Sequence, residues 1–316
     1  MNFDPRNYKV VFFGSSEFSL PILDYLYQAG WRILKVVTLP DQPKGRGLKT
    51  QPTPVKTLAN KLQLDTFQPE HLKGETTRQL LKDLNADLAV VASYGELIPS
   101  DILKTTRKGF VNIHPSKLPK YRGPSPIQFT LLNGETETAA TLMVMDEQLD
   151  RGPIIAQKNL SVDGRETFLT LQEKTAEAGA ELLQTALPAW IMGRHEAIAQ
   201  DDRRATYTKM FERTDGKIDW KKNAKDIDRQ VRALTPWPGT WTTLHMKRYK
   251  ILEARETKIS KLLSPGQILM ENNRIFVGCG SGSALEIIKI QAEAKKALSV
   301  KEFIKGHHDL QGLIFF

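Results

Sequence analysis

Cysteine is almost absent from this chain. Cys279 is the only one in 316 residues, so no disulfide can form within it, and a reducing compartment is the expectation. Long apolar runs are missing too. None approaches the about 20 residues that cross a bilayer as a helix, and residues 1–6 hold no apolar signal core, so a soluble cytoplasmic protein without membrane partners is expected. The glycine-rich phosphate signatures are absent as well. Phe13-Gly14-Ser15-Ser16-Glu17-Phe18 is a strand-to-helix turn without Gly-x-Gly-x-x-Gly, which leaves dinucleotide binding unsupported. Gly278-Cys279-Gly280-Ser281-Gly282 lacks the Lys-Ser/Thr of a phosphate loop and reads as a hairpin turn around a structural thiol. His307-His308 has no cysteine or acidic cluster at ligand spacing, so no metal site is expected.

What is present points to two domains. A chain of 316 residues with 40% hydrophobic content can build more than one core. Its net charge of +9 is unevenly placed: residues 1–207 carry 25 basic and 24 acidic side chains, a net of +1, while residues 208–316 carry 20 and 12, a net of +8. An excess confined to the last third suggests a module facing a polyanion, although charge alone fits a solubilising surface equally well.

The front two-thirds alternates strand-like and helix-like segments: strands over 9–13, 33–39, 88–92 and 109–114, a helix over 19–29, and a long helical stretch over 167–192 with Thr167 as its N-cap. That alternation predicts a Rossmann-like, mostly parallel sheet with helices on both faces. Residues 193–207 are polar and charged and read as a linker. Beyond them one helix over 224–234 carries Ile227, Val231 and Leu234 at helical spacing. A turn at Thr235-Pro236-Trp237-Pro238-Gly239 and short strands such as 274–278 and 284–290 follow, which suggests a small OB-like β-barrel. The expected organisation is a catalytic domain over 1–192, a linker over 193–207 and a barrel domain over 208–316.

The chemistry concentrates in Phe110-Val111-Asn112-Ile113-His114-Pro115-Ser116-Lys117-Leu118-Pro119-Lys120-Tyr121-Arg122-Gly123 and in Leu149-Asp150-Arg151-Gly152-Pro153. Asn112 and His114 are two apart at the end of an apolar run, so on a strand they share a face. Pro115 ends that strand and leaves both at its carboxyl end, where open α/β sheets bind ligands. Asp150 follows a second apolar run, 141–145, and a turn closed by Gly152-Pro153. A neutral amide, an imidazole and an orienting carboxylate can stabilise an oxyanion and move protons, which suits acyl transfer; no convincing nucleophile accompanies them. A second region, Pro40-Asp41-Gln42-Pro43-Lys44-Gly45-Arg46-Gly47-Leu48-Lys49-Thr50-Gln51-Pro52-Thr53-Pro54-Val55-Lys56, is a glycine-bearing basic loop; on composition it fits a phosphate-bearing substrate or an ordinary solvated loop.

The fixed order Asn112-x-His114-x-Ser116-x-Leu118-Pro119, Arg122-Gly123-Pro124, Leu149-Asp150-x-Gly152 resembles the 10-formyltetrahydrofolate-dependent formyltransferases. The resemblance implies 10-formyltetrahydrofolate as formyl donor, Asn112, His114 and Asp150 as catalytic residues, and Ser116, Lys117, Leu118 and Pro119 in the folate site. It also implies a pterin pocket lined by backbone of the Tyr94-Gly95 segment. The basic loop, Lys217-Ile218-Asp219-Trp220, Arg232-Ala233-Leu234-x-Pro236-Trp237-Pro238 and Lys295-Lys296-Ala297-Leu298-Ser299 carry the likeness nearly end to end. They resemble the branch of the family that formylates methionyl initiator tRNA, a helix before the terminal barrel included. By that likeness Arg46, with Lys44 and Lys49, contacts the tRNA acceptor arm, and a monomer is expected. Lys117, Ser15-Ser16 and Arg151 depart from the usual pattern, where Leu, Thr-Pro and Thr stand. An amino-sugar N-formyltransferase is the nearest alternative; a glycinamide ribonucleotide formyltransferase would need only the front domain, and a tRNA-binding protein with an inactive core is a further alternative.

Overall fold

The computed structural model describes residues 3–44 and 49–316, which divide into two compact units. One comprises the chain up to Pro126 with Glu137–Ser161 and Gln172–Thr208; the other comprises Ile127–Thr136, Val162–Leu171 and Lys209–Phe316.

The first nine strands in chain order are β1 (Lys9–Gly14), β2 (Arg32–Val37), β3 (Gln42–Lys44), β4 (Lys49–Gln51), β5 (Thr66–Phe67), β6 (Leu88–Ala92), β7 (Phe110–His114), β8 (Glu137–Val144) and β9 (Ile154–Ser161). Seven of them form the sheet of the first unit, in the order β5-β2-β1-β6-β7-β8-β9, and β3 pairs with β4 as a separate antiparallel ribbon. Strands from β5 to β7 run parallel, while β8 and β9 are antiparallel to their neighbours. The sequence of β1 shows why the sheet is internal: Val10 and Phe12 face one core and Val11 and Phe13 another, so the strand is apolar at every position. Helices α1 (Leu20–Gln28) and α2 (Pro54–Lys61) supply the first core, whereas α3 (Glu75–Asp83) and α4 (Ser100–Leu103) supply the second. Local chemistry starts these helices. The Thr53 hydroxyl accepts the Lys56 N–H at 3.1 Å and Pro54 occupies the first turn of α2.

Next along the chain come α5 (Pro126–Leu132), α6 (Phe168–Thr185) and α7 (Leu187–Ile191). The helical stretch expected over 167–192 is therefore two helices. Pro188, which has no N–H for the carbonyl one turn back, explains the break. Thr167 caps α6 as expected, its hydroxyl accepting the Thr170 N–H at 3.3 Å. Residues 193–207, where a linker was expected, are built into the first unit: Ile198 exchanges two 2.8 Å backbone hydrogen bonds with Ile154, and Tyr207 bridges to Arg122.

In the second unit α8 (Ala224–Leu234) begins on Asn223, whose side chain accepts the Asp226 N–H at 2.9 Å. Its residues Ile227 and Val231 enter the core of an antiparallel sheet ordered β10 (Thr240–Leu244), β11 (Lys247–Thr257), β14 (Ala284–Ala292), β13 (Arg274–Gly278), β12 (Ile268–Glu271), with β15 (Leu298–Ser299) on β14 and α9 (Val300–Ile304) against it. The glycine run 278–282 joins β13 to β14, the hairpin expected there. The last residues reach both sheet edges. Phe316 exchanges 2.8 Å backbone hydrogen bonds with Thr243 of β10, while Phe315 donates to Gly266 at 2.9 Å, just before β12.

Candidate functional site

Strand β7 carries the site because its two faces differ. Val111 and Ile113 sink into one core, while Phe110, Asn112 and His114 share the opposite face. Asn112 lies between Val91 of β6 and Met143 of β8, and His114 lies opposite Thr141. Both are buried, at 9% and 4% exposure. Among the described residues the Asn112 amide has no hydrogen-bond partner, yet it is not among the sealed, unpartnered polar atoms, so it opens to solvent. An amide in that state can donate to an incoming oxygen without breaking a bond first.

His114 is oriented on both sides. Its Nε2–H donates to the Tyr121 carbonyl at 3.0 Å, and Nδ1 faces Asp150 Oδ2 at 3.7 Å, an ion-pair distance rather than a hydrogen bond. A carbonyl only accepts, so Nε2 keeps its proton and Nδ1 is the nitrogen that can gain or lose one. Asp150 is held in turn: its Oδ2 accepts the Gly123 N–H at 2.7 Å. Gly123 has φ +111°, and a side chain there would strike the Thr208 hydroxyl at 2.8 Å, so the amide reaches the carboxylate only because the residue is glycine. Gly152 is forced likewise, since a Cβ would collide with the Val144 carbonyl. Three non-glycine residues with left-handed backbone, Ser93 (φ +48°), Tyr121 (+64°) and Asp150 (+51°), occupy the loops after β6, β7 and β8. Strain of this kind gathers where surrounding bonds over-determine a functional loop.

The sequence-derived folate residues divide by role. Ser116 is fully buried and its hydroxyl donates to the Lys120 carbonyl at 2.6 Å; Leu118 is 2% exposed and its carbonyl accepts from Gln157 at 2.9 Å. Both shape the loop from inside. Lys117 and Pro119 are half-buried at the surface. Tyr94 turns its ring into the core, edge-on to Phe13 at 5.6 Å, with a hydroxyl that has no partner, and burial pushes its phenol up. The exposed residues of that segment are Ser93, Gly95 and Leu97. In the basic loop, Lys44 and Lys49 are opposite one another in the β3–β4 ribbon, and Arg46 lies outside the described residues.

Sequence reasoning missed the residues that fix the Asp150 loop. Arg122 is fully buried; its guanidinium donates to Gln200 at 2.9 and 3.1 Å, to Asp202 at 2.9 Å and to the Tyr207 hydroxyl at 3.2 Å. Gln200 in turn donates to the carbonyls of Asp150 and Gly152. These partners are 48 to 85 residues apart in sequence and leave no local signal.

A formyl transferase profile matches residues 8–187, and the profile of the formyl transferase C-terminal domain matches 211–308. The chain belongs to the formyl transferase family. It is 38% identical over 299 residues to the methionyl-tRNA formyltransferase of Enterococcus faecalis, spanning 94% of this chain and 96% of that one. The methionyl-tRNA formyltransferase of Caldanaerobacter subterraneus is 38% identical over 307 residues, 97% and 99% of the two chains. The solved N-formyltransferase of Helicobacter canadensis, in complex with folinic acid and dTDP-3-aminofucose, gives a TM-score of 0.67 at 17% identity, over 90% of this chain and 99% of that one. HypX from Aquifex aeolicus in complex with tetrahydrofolic acid gives 0.65 at 16%, over 94% of this chain and 47% of that one. Such identities carry the fold alone.

Within this formyltransferase the three departures from the usual pattern are locally satisfied. The Ser16 hydroxyl donates to that of Ser93 at 2.8 Å, and Ser15 accepts the Leu39 N–H at 3.1 Å, so the pair ties the β1 turn to its neighbours. Lys117 pairs with Glu137 at 2.8 Å on the surface. Arg151 pairs with Asp202, the same carboxylate that Arg122 engages. No helix of the described residues is long and apolar enough to cross a membrane, and no three His, Cys, Asp or Glu side chains among them are grouped to hold a metal.

Proposed function

We propose that this formyltransferase uses Asn112, His114 and Asp150 to move a formyl group from 10-formyltetrahydrofolate to the amino group of methionyl initiator tRNA, in the cytoplasm, for translation initiation. The observation that carries the reading is the open, unpartnered amide of Asn112 beside an imidazole whose one titratable nitrogen faces Asp150. Near-full-length identity of 38% to methionyl-tRNA formyltransferases supports the acceptor.

The residues fit such a donor: exposed backbone at Gly95, the Lys117–Pro119 surface and an open amide lie at adjacent strand ends. Bound there, 10-formyltetrahydrofolate supplies the formyl group. Asn112 donates its N–H to the formyl oxygen as negative charge develops on it. His114 Nδ1 takes the proton shed by the attacking methionyl amine and returns it to the departing nitrogen, so no proton is lost in the cycle. Asp150 stabilises the imidazolium that exists in between. Ser116 and Leu118 serve by shaping the folate loop from within, and Tyr94 by anchoring its segment.

For the second substrate, Arg46, Lys44 and Lys49 contact the acceptor arm and the +8 module engages the tRNA body. An OB-like form for that module is supported by its five-strand antiparallel path, the preceding helix α8 and the terminal residues that reach both edges. The catalytic domain is proposed to run on through the segment 193–207, read from sequence as a linker, with the tRNA-binding module over 208–316. The test compares formylation of charged initiator tRNA with that of nucleotide-linked amino sugars, for the whole protein and for Arg46→Ala. Formylation of tRNA alone, impaired in the variant more than donor binding, is expected; preference for the sugar overturns the reading.

A further inference from the structure

The Gln200 side chain makes four hydrogen bonds, the full capacity of a carboxamide. Its Nε2 donates to the Asp150 carbonyl at 2.9 Å and the Gly152 carbonyl at 2.8 Å, and its Oε1 accepts from Nε and Nη2 of Arg122 at 3.1 and 2.9 Å. Two loops thereby meet on one amide. The Arg122 loop also provides the Gly123 N–H that binds the Asp150 carboxylate. Asp150 is thus gripped at its own carbonyl, at the carbonyl two residues on and at its carboxylate, which keeps a non-glycine residue at φ +51°. That conformation is disfavoured by about 1–2 kcal/mol for an L-residue and needs outside support.

We infer that Gln200 is a positioning residue for catalysis: through the two carbonyls and Arg122 it sets the Asp150 carboxylate against His114. Gln200 touches neither reacting group. Its effect passes through Asp150, and the role rests on the functional reading of Asp150 given above. Any aliphatic or charged residue of similar size fills the space, but only an amide both donates to two carbonyls and accepts from a guanidinium.

Gln200→Glu isolates the donor half. The carboxylate keeps the shape and is a better acceptor for Arg122, so the fold should hold, while both donations to the Asp150 loop vanish. In the full-length protein the expected result is a fall in kcat of at least about tenfold with KM for methionyl-tRNA within about twofold, because small misplacements of a reacting group act on the chemical step. In an Asp150→Ala background the same change should cost less than about twofold further, as coupled residues are non-additive. Hydrogen exchange of the Gly123 amide reads the grip on Asp150 whatever the substrate, and should quicken by at least about tenfold on loss of that restraint. Unchanged exchange overturns the inference even if the acceptor proves to be another amine. A wild-type kcat, or an equal loss in both backgrounds, overturns it as well, while failure of the wild-type protein to formylate methionyl-tRNA would count against the functional reading alone.

Discussion

In the first unit Arg122 has no exposed surface, and its guanidinium is taken up by Gln200, Asp202 and Tyr207. In the second unit Arg248 is exposed and lies 4.1 Å from the centre of the Trp241 ring, with the Lys217 ammonium 6.0 Å from the same ring and Arg213 5.9 Å from that of the exposed Trp237. The same residue type thus serves as a strut in one unit and as an offered charge in the other. A buried guanidinium contributes geometry, since its planar fork fixes the groups it binds. An exposed one over an aromatic ring keeps its charge available and gains only about 0.5–1 kcal/mol from the ring. Residues 1–207 hold nearly as many acids as bases, 24 against 25, while residues 208–316 hold only 12 acids for 20 bases and so leave cations over to offer.

The largest break in the comparison is expected at the catalytic groups. Asn112→Ala, His114→Ala and Asp150→Ala should each lower turnover by at least ~10²-fold, the usual cost of an oxyanion donor or proton shuttle. Near-normal rates in the folded variants would remove the site from β7. Next in size is Arg122→Met, which leaves the acceptors on Gln200, Asp202 and Tyr207 unmatched. Breaking a buried pair costs about 3–5 kcal/mol, and the half-open Asp202 puts this case at or below the lower end, read as a reduced urea midpoint. If stability is unchanged, Arg122 is not a strut.

Arg248→Ala should instead cost stability no more than the about 0.5–1 kcal/mol of its ring contact, a small shift of the urea midpoint, and act on tRNA. One lost phosphate contact lowers the salt slope of affinity by about one. Equal slopes for variant and wild type would make the +8 module a solubilising surface. The smallest effect concerns Cys279, whose burial pushes its thiol up to about 12. A raised thiol pKa keeps the group protonated through neutral pH, and unfolding returns it to about 8.5, so the thiolate gain belongs to the unfolded chain. Thiol reagents at pH 8 should label it only in denaturant; rapid native labelling would mean that this core is open.

The helix over 224–234 and the strands 88–92 and 274–278 were legible to the residue, since periodicity and turn residues report on neighbours along the chain. So was the shared face of Asn112 and His114, which follows from the two-residue repeat of a strand. Residues 193–207 were misleading for the same reason. Their polar side chains bond to partners far away in sequence, such as Arg122 to Gln200 across 78 residues, and such a pattern looks like solvent exposure from within. Likewise Ser116, Leu118 and Tyr94 are the motif residues a substrate loop suggests, yet their side chains turn inward and hold that loop. The sequence by itself determined the chemical groups, their order and the charge of each part. Only the tertiary structure decided which arginine is buried, which amide is left open and what grips Asp150, because those depend on contacts between segments that no local pattern encodes.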